Sequence, residues 1–162
     1  MIQNISVRNI QSSDNSALAK IIRDSLQEFG AAKLGTVYYD KTTDNLYDVF
    51  KAEGSCYFVV LLDGDVAGGA GIYPTANLPH ATCELVKLYL APEARGKGIG
   101  KLLMQKCEAA ALALGYNTIY LETMPELKIA VPLYEKLGYR YLKEPLGNSG
   151  HTGCDIWMSK TL

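Results

Sequence analysis

Residues 84–105 read ELVKLYLAPEARGKGIGKLLMQ, and they pass from a mostly apolar run through a glycine-rich turn into a helical pattern. Gly96, Gly98 and Gly100 occupy alternate positions within RGKGIGKLL (95–103). Glycines keep Cβ atoms away from the backbone, and the first N–H groups of a helix have no partner inside it. A helix N-terminus also carries a partial positive charge. The stretch therefore predicts a site for an anion such as a phosphate, with Arg95 and Lys97 adding positive charge at its rim.

Two familiar phosphate-binding motifs do not fit this turn. A Walker-type loop needs Ser or Thr directly after its Lys, whereas Leu102 follows Lys101. A dinucleotide-binding fingerprint needs the spacing G-x-G-x-x-G, whereas this chain has G-x-G-x-G. At this point a plain structural turn stays open as the alternative to an anion site.

The sequence on either side of the turn predicts strands that alternate with helices. Hydrophobic periodicity predicts strands at 5–10, 55–63, 66–73, 82–90, 117–123, 139–144 and 154–160. It predicts helices from an N-cap at Ser13 to Gly30, then at 44–52, 98–114 and 126–138, with Pro132 inside or at the start of the last one. Asp-Gly within DGD joins the second and third strands as a hairpin. This order predicts an α/β fold on a mixed central sheet of about six to seven strands.

Composition narrows the class of protein. The 162 residues are expected to form a single domain, 1–162, and the net charge of -1 argues against a nucleic-acid or membrane-surface binder. No apolar run approaches the roughly 20 residues of a membrane helix, and residues 1–14 do not resemble a signal peptide, so a cytoplasmic location is expected. The four cysteines are scattered and only two histidines are present, so neither disulfides nor a metal site is expected.

The residues around the turn resemble the acyl-CoA-binding core of the GCN5-related N-acetyltransferase superfamily. In that family a strand ending in a Leu-Tyr-Val-like triplet is followed by Pro, then by Arg/Gln-x-x-Gly-x-Gly/Ala and a helix. Here the triplet 88–90 and Pro92 precede Arg95, Gly98 and Gly100. LYEKLGY (133–139) resembles the helix end and following strand that close the family's acceptor side. The likeness in element order extends over nearly the whole chain, although its motifs are specific only in the second half.

The resemblance implies an N-acetyltransferase domain with helices on both faces of the sheet. It also implies that strands 82–90 and 117–123 splay apart and that acetyl-CoA binds as the co-substrate between them. Its pyrophosphate would lie on the turn, and its pantetheine arm would run beside the strand that ends at the triplet. The cofactor-binding residues implied are Leu88, Tyr89, Leu90, Arg95, Gly96, Lys97, Gly98, Ile99, Gly100 and Lys101.

Two residues are predicted to move protons. A lysine-like amine has a pKa of about 10.4, so a general base must remove its proton at neutral pH. Glu84 lies inside an apolar strand, where family members often carry the base; the alternative is a carboxylate on a wet strand face. Tyr134 matches the family's general acid for the CoA thiolate; the alternative is a packed tyrosine with a satisfied hydroxyl. Leu127 stands where many relatives have an Asn that contacts the cofactor arm, so that contact is lost or replaced.

Three loops are candidate walls of the acceptor site. They are the loop 34–44 with Tyr38, Tyr39, Asp40 and Asp44, the loop 147–153 with His151, and the loop around His80. The favoured acceptor is a primary amine of a small molecule. A protein N-terminus or lysine is the alternative, and a non-catalytic CoA-binding module is a third reading. The sequence leaves open whether the chain forms a homodimer.

Overall fold

A seven-stranded mixed sheet forms the centre of the computed structural model, which describes residues 2–162. The strand order is β1-β2-β3-β4-β5-β7-β6, and β4 and β5 are the parallel neighbours within an otherwise antiparallel arrangement. The strands are β1 Ile5–Asn9, β2 Cys56–Leu62, β3 Asp65–Tyr73, β4 Thr82–Leu90, β5 Thr118–Thr123, β6 Arg140–Leu142 and β7 Ile156–Thr161. The helices are α1 Asn15–Glu28, α2 Leu46–Val49, α3 Ile99–Ala113 and α4 Ala130–Lys136. Within residues 2–162, every helix is too short or too polar to cross a membrane.

The core lies on both faces of this sheet. On one face α3 buries Ile99, Leu103 and Cys107, which recur at helical spacing and pack with Tyr134 of α4. On the other face α1 buries Leu18 and its neighbours at similar spacing in a second cluster. The predicted α/β fold, with helices on both faces of a mixed sheet, is confirmed, and so is the order of its helices and strands.

The two central strands part after three residue pairs. Thr82 to Glu84 pair in parallel with Thr118 to Tyr120, and beyond Glu84 and Tyr120 the strands have no further paired positions. A parallel pair needs a crossover connection, which α3 supplies between β4 and β5. The predicted splay is therefore present, and it opens a gap beside residues 85–90.

A β-bulge lies in β4 at the start of this gap. The register with β3 runs from Gly71 opposite Val86 to Gly69 opposite Tyr89, so one extra residue of β4 has no separate partner. Lys87 has a φ of +53°, in the left-handed region. The bulge reverses the alternation of side chains. Cys83 and Leu85 pack toward α3 before it, and Leu88 and Leu90 pack toward α3 after it.

The glycines of β3 make room for an aromatic ring that holds the bulge. A Cβ atom at Gly69 or Gly71 would lie 2.5 Å or 2.7 Å from ring carbons of Tyr57. The Tyr57 hydroxyl donates a 2.8 Å hydrogen bond to the carbonyl oxygen of Lys87. Glycine inside a strand often marks such a close approach.

The predicted bounds of three helices were wrong. Residues 12–14 form a 3-10 turn and α1 begins at Asn15, because the Asp14 carboxylate binds Arg8 and the backbone N–H of Gln11. The helix predicted at 44–52 is a helical segment of residues 46–49. The helix predicted at 126–138 begins at Ala130, which places Pro132 in the first turn, where its missing N–H costs no helical hydrogen bond.

Candidate active site

A cavity of about 280 Å³ fills the gap between β4 and β5. The diverging strands supply two of its walls, and α1, the glycine turn, α4 and the loop around His151 supply the others. Its lining includes Glu84, Leu88, Tyr89, Leu90, Arg95, Gly96, Gly98, Ile99, Gly100, Lys101, Tyr134 and His151. Most residues that the sequence singled out therefore surround one space, although their roles stay predictions.

The glycine turn presents a run of free backbone donors to this cavity. Gly98 is the N-cap of α3 with a φ of +77°, a conformation that favours glycine. Within the described chain, no backbone N–H of residues 96–101 donates to a protein acceptor, and Leu102 is the first residue of the helix whose N–H does so. Gly100 also lets α4 approach, since a Cβ atom there would lie 3.1 Å from Leu133. The turn can therefore hold an anion by its backbone.

Arg95 contributes to the site differently from what the sequence predicted. Its guanidinium does not extend over the turn but lies against α1, where it donates to Glu28 at 2.8 Å and to Ser25 at 3.2 Å. Its Nε donates to the carbonyl of Leu90 at 3.0 Å. Because these partners come from α1 and β4, Arg95 ties both elements to the turn. Lys97 lies outside the lining of the cavity.

Glu84 is a buried carboxylate at the point where the strands separate. It is 3% exposed, and its Oε2 accepts a 2.6 Å hydrogen bond from the Thr75 hydroxyl. Burial raises the pKa of Glu84 to about 7, although the Thr75 bond lowers it in part, and the negative charge of Glu122 raises it further. The alternative of a carboxylate on a wet strand face is excluded by this burial. A carboxylate with such a pKa can take up a proton near neutral pH.

A second carboxylate lies close to Glu84. Glu122 of β5 accepts a 2.6 Å hydrogen bond from the Tyr120 hydroxyl and another from the hydroxyl of Ser149. One side-chain oxygen or ring nitrogen from each of Glu84, Glu122 and His151 lies within 4.8 Å of the others. In the described chain neither glutamate forms an ion pair within 4 Å. The group offers ligand atoms for a cation, and the expectation that no metal binds stays a prediction.

Asp40 joins the loop 34–44 to this group. Its Oδ2 lies 3.0 Å from Nε2 of His151 and 3.8 Å from Nζ of Lys87. Partial burial raises the pKa of Asp40, but hydrogen bonds from His151 and Thr42 and the charge of Lys87 outweigh it and hold the pKa at about 2. The negative charge of Asp40 therefore compensates the buried ammonium of Lys87.

Tyr134 lies on the α3 side of the cavity. It is 6% exposed, no described residue forms a hydrogen bond with its hydroxyl, and its role as general acid stays a prediction. Its ring packs 6.0 Å from that of Tyr139. Burial raises the pKa of Tyr134 above its ordinary value. The phenol is therefore protonated at neutral pH and free to donate.

The structure separates the two tyrosines of the loop 34–44 from the main cavity. Tyr38 accepts a hydrogen bond from Gln27, and Tyr39 is 57% exposed beside a second pocket that it shares with Asp40 and His151. His80 is exposed on a different loop.

Sequence reasoning missed Glu122 and Lys87 as residues of the site. The signal for Glu122 was an acidic residue inside the apolar strand NTIYLET, which is the same signal that pointed to Glu84. The bulge that places Lys87 has no comparable sequence signal in β4 itself. The glycines of VAGGAGIY in the neighbouring strand were a weaker sign of a close backbone approach.

Comparison with known proteins identifies the family. The model of the Acetyltransferase (GNAT) family matches residues 18–139, which include the glycine turn and both predicted catalytic residues. The chain belongs to this family of acetyltransferases.

Relatives extend the match over almost the whole chain. The uncharacterized N-acetyltransferase YjgM of Escherichia coli (strain K12) is 38% identical over 157 residues, which is 96% of this chain and 94% of that protein. A GNAT-family acetyltransferase structure from Staphylococcus aureus Mu50 matches with a TM-score of 0.84 at 19% identity and covers 98% of this chain and 99% of the other. The PaiA N-acetyltransferase of Thermoplasma acidophilum, solved in complex with coenzyme A, matches with a TM-score of 0.76 at 20% identity over 98% and 99% of the chains.

Proposed function

We propose that this protein transfers the acetyl group of acetyl-CoA to the primary amine of a small cationic molecule. The observation that carries the proposal is the cavity itself. It connects the unpaired N–H groups of the glycine turn at one end with the buried carboxylate of Glu84 and the free hydroxyl of Tyr134 at the other.

Acetyl-CoA would bind along the gap between β4 and β5. The N–H groups of residues 96–101 suit the pyrophosphate, since they are free donors at a helix N-terminus. The unpaired edge of β4 beyond Glu84 suits the amide groups of the pantetheine arm. The coenzyme A in the PaiA structure supports this choice of cofactor.

The reaction needs one proton transfer on each side of the thioester. Glu84 takes a proton from the acceptor ammonium, and the free amine attacks the carbonyl carbon to form a tetrahedral intermediate. A backbone N–H of residues 88–90 donates to the oxyanion. The C–S bond then breaks as Tyr134 donates its proton to the CoA thiolate. The nitrogen of the new amide loses its second ammonium proton, which returns Tyr134 to the phenol form, and the acetylated amine is released. The pKa of Glu84, about 7, and the raised pKa of Tyr134 suit a base and an acid respectively.

The charges around Glu84 favour a cationic acceptor. The one ammonium nearby, that of Lys87, lies 3.8 Å from Asp40 and also lowers the pKa of Glu84, but the hydrogen-bond donors of Glu84 and Glu122 are all neutral. An ammonium group placed between the two carboxylates would complete the charge balance, which makes a compact amine a better partner than a zwitterion with a nearby carboxylate.

The loops favour a small acceptor over a protein segment. The backbone N–H of Gly153 donates to the carbonyl of Gly35 at 2.9 Å, and Asp40 contacts His151. These bonds join the two loops across the acceptor side and narrow the groove that a peptide needs.

Two measurements test the proposal. Calorimetric titration with acetyl-CoA and CoA, with NADH and ATP as controls, should show binding of the CoA compounds alone. Thiol release should then follow with primary amines that carry no carboxylate, and more slowly with amino acids. Failure of CoA to bind would overturn the proposal.

The substitution Glu122→Gln tests the acceptor side. The KM for the best cationic amine should rise by about tenfold or more, because one of the two carboxylates facing the ammonium is lost, while the KM for acetyl-CoA should not change. Glu53→Gln, at an exposed position away from the cavity, is the matched control. An equal effect of both variants would contradict the role of Glu122.

A further inference from the structure

Thr123, the last residue of β5, has a buried hydroxyl without a partner. The residue is 2% exposed, it lines the cavity, and its Oγ1 makes no hydrogen bond in the described chain. Glu126 Oε2 is the other such atom, but the second oxygen of that carboxylate binds Lys33. Thr123 has no second side-chain oxygen, so its polar group is wholly unsatisfied.

An unsatisfied hydroxyl is unexpected at a position that an apolar side chain could fill. Native proteins satisfy nearly all buried polar groups, and those left over call for an explanation such as a ligand. Valine has nearly the same shape as threonine without the hydroxyl, so packing alone does not require Thr at this position. The cavity supplies the alternative, which is that a bound molecule provides the missing partner.

The alternation of side chains along β5 shows on which face of the sheet the Thr123 hydroxyl lies. Ile119 and Leu121 belong to the core cluster that contains Tyr134, and Thr123 shares their face of the strand. Glu122 points to the opposite face with Glu84. Thr123 therefore lies on the cofactor side of the proposed site, four residues before Leu127, which stands where an Asn is expected to contact the cofactor arm.

We propose that the Thr123 hydroxyl forms a hydrogen bond with an amide group of the pantetheine arm of acyl-CoA. This inference rests on the proposed function, because it assumes that the arm lies between β4 and β5. A hydroxyl can donate to an amide carbonyl or accept from an amide N–H, so either polar atom of the amide can be the partner. The contact replaces the one that Leu127 cannot make.

Thr123→Val tests the inference through CoA affinity, which should fall, and melting temperature, which should not. Affinity for both CoA and acetyl-CoA, measured by calorimetry, should fall by about fivefold to tenfold, because one hydrogen bond to the arm is lost. The melting temperature of the unliganded variant should stay the same or rise, since an unsatisfied buried group has been removed. Loss of packing would instead lower it.

Two control variants separate the hydroxyl from the side-chain shape. Thr123→Ser keeps the hydroxyl and should keep most of the affinity. Thr118→Val makes the same substitution in β5 outside the cavity lining, where the Thr118 hydroxyl binds Asn117, and should not change CoA affinity.

The remaining outcomes each decide the matter. Equal CoA affinity of Thr123→Val and the unsubstituted protein would overturn this inference and leave the proposed function intact. Weaker binding of acetyl-CoA alone would overturn the amide assignment in favour of the acetyl carbonyl. Failure of the unsubstituted protein to bind CoA would overturn both the proposed function and the inference.

Discussion

Glu84 exchanges most of its hydration for a single hydrogen bond from Thr75. Burial of a carboxylate with one neutral donor favours the protonated form, which is why its pKa rises rather than falls. Such a group is costly for a strand and useful for proton transfer.

The rate of acetyl transfer should increase as the pH rises through about 7, because Glu84 must be ionised to accept a proton. Glu84→Gln should lower kcat by about 10²-fold or more and remove this limb of the pH profile. The measurement is thiol release between pH 5.5 and 9. Thr75→Val removes the hydrogen bond that lowers the pKa of Glu84, so its limb should move to higher pH. If the rate of Glu84→Gln still rose with pH near 7, the general base would be another group.

Tyr134→Phe should lower kcat by about a hundredfold with little change in CoA affinity, because the variant cannot donate a proton to the thiolate. Steady-state kinetics together with calorimetry check both parts. Tyr139→Phe changes a neighbouring buried ring whose hydroxyl faces Glu108, and it should leave kcat nearly unchanged. Similar losses in the two variants would indicate a general packing effect and contradict the role of Tyr134.

At the scale of elements, the turn before α3 depends on one backbone conformation. Gly98 caps the helix with a positive φ, and the space around it is open, so a larger side chain would meet strain but no collision. Relaxation of that strain would rotate the N–H groups that follow. A substitution at Gly98 should therefore affect both the stability of the protein and the binding of an anion by the turn.

Gly98→Ala should reduce stability by about 1–2 kcal/mol and weaken CoA binding by about tenfold. Gly115→Ala is a matched control, since Gly115 also has a positive φ, open surroundings and a place next to α3, but at the opposite end of the helix. It should cost a similar amount of stability and leave CoA affinity unchanged. Denaturant unfolding and calorimetry of both variants make the comparison. Equal CoA affinity in the two variants would indicate that the turn does not bind the cofactor.

The order of the elements was predictable from the sequence, and so were both ends of β4, but the ends of three helices were not. Periodicity identified β4 and α3 because each keeps its pattern over nine or more residues. The start of α1 was missed because Asp14 binds Arg8, a partner on another element. The start of α4 was missed because residues 126–129 continue an apolar pattern without forming a helix.

Some residues of the candidate site were also predictable from the sequence, and others were not. Glu84 and Tyr134 were identified from the family's motifs, which local sequence contains. Glu122 lies close to Glu84 and His151, and Asp40 contacts both Lys87 and His151, through the bulge and the two joined loops. Such contacts depend on three-dimensional register, which a single sequence does not reveal.

At the scale of the whole molecule, the raised pKa of Glu84 couples the site to folding. Its carboxyl titrates near 4.5 in the unfolded chain and near 7 in the folded one. Its contribution to stability is fully present below pH 4.5 and is lost as the pH rises through 7. Above that pH the ionised carboxylate lowers the free energy of unfolding by about 3 kcal/mol.

The difference in stability between Glu84→Gln and the unsubstituted protein should therefore change by about 3 kcal/mol in favour of the variant between pH 4.5 and pH 8. Urea denaturation of both proteins across this range measures it, and groups that titrate equally in both cancel from the difference. A pH-independent difference would show that Glu84 has an ordinary pKa in the folded protein.

The extra residue at Lys87 divides β4 into two halves, and the alternation of side chains between the two faces of the sheet is reversed from one half to the other. Before it, even-numbered residues such as Glu84 and Val86 face α1; after it, the odd-numbered Tyr89 does. Residues of β4 thus lie on both faces of the sheet, and whether an odd- or even-numbered residue faces α1 depends on which side of the bulge it lies. Removal of a single residue from the bulge would move the following side chains to the other face of the sheet, with Leu88 and Leu90 toward α1 and Tyr89 toward α3. A strand shortened at Lys87 would keep Glu84 and the glycine turn and still lose the site.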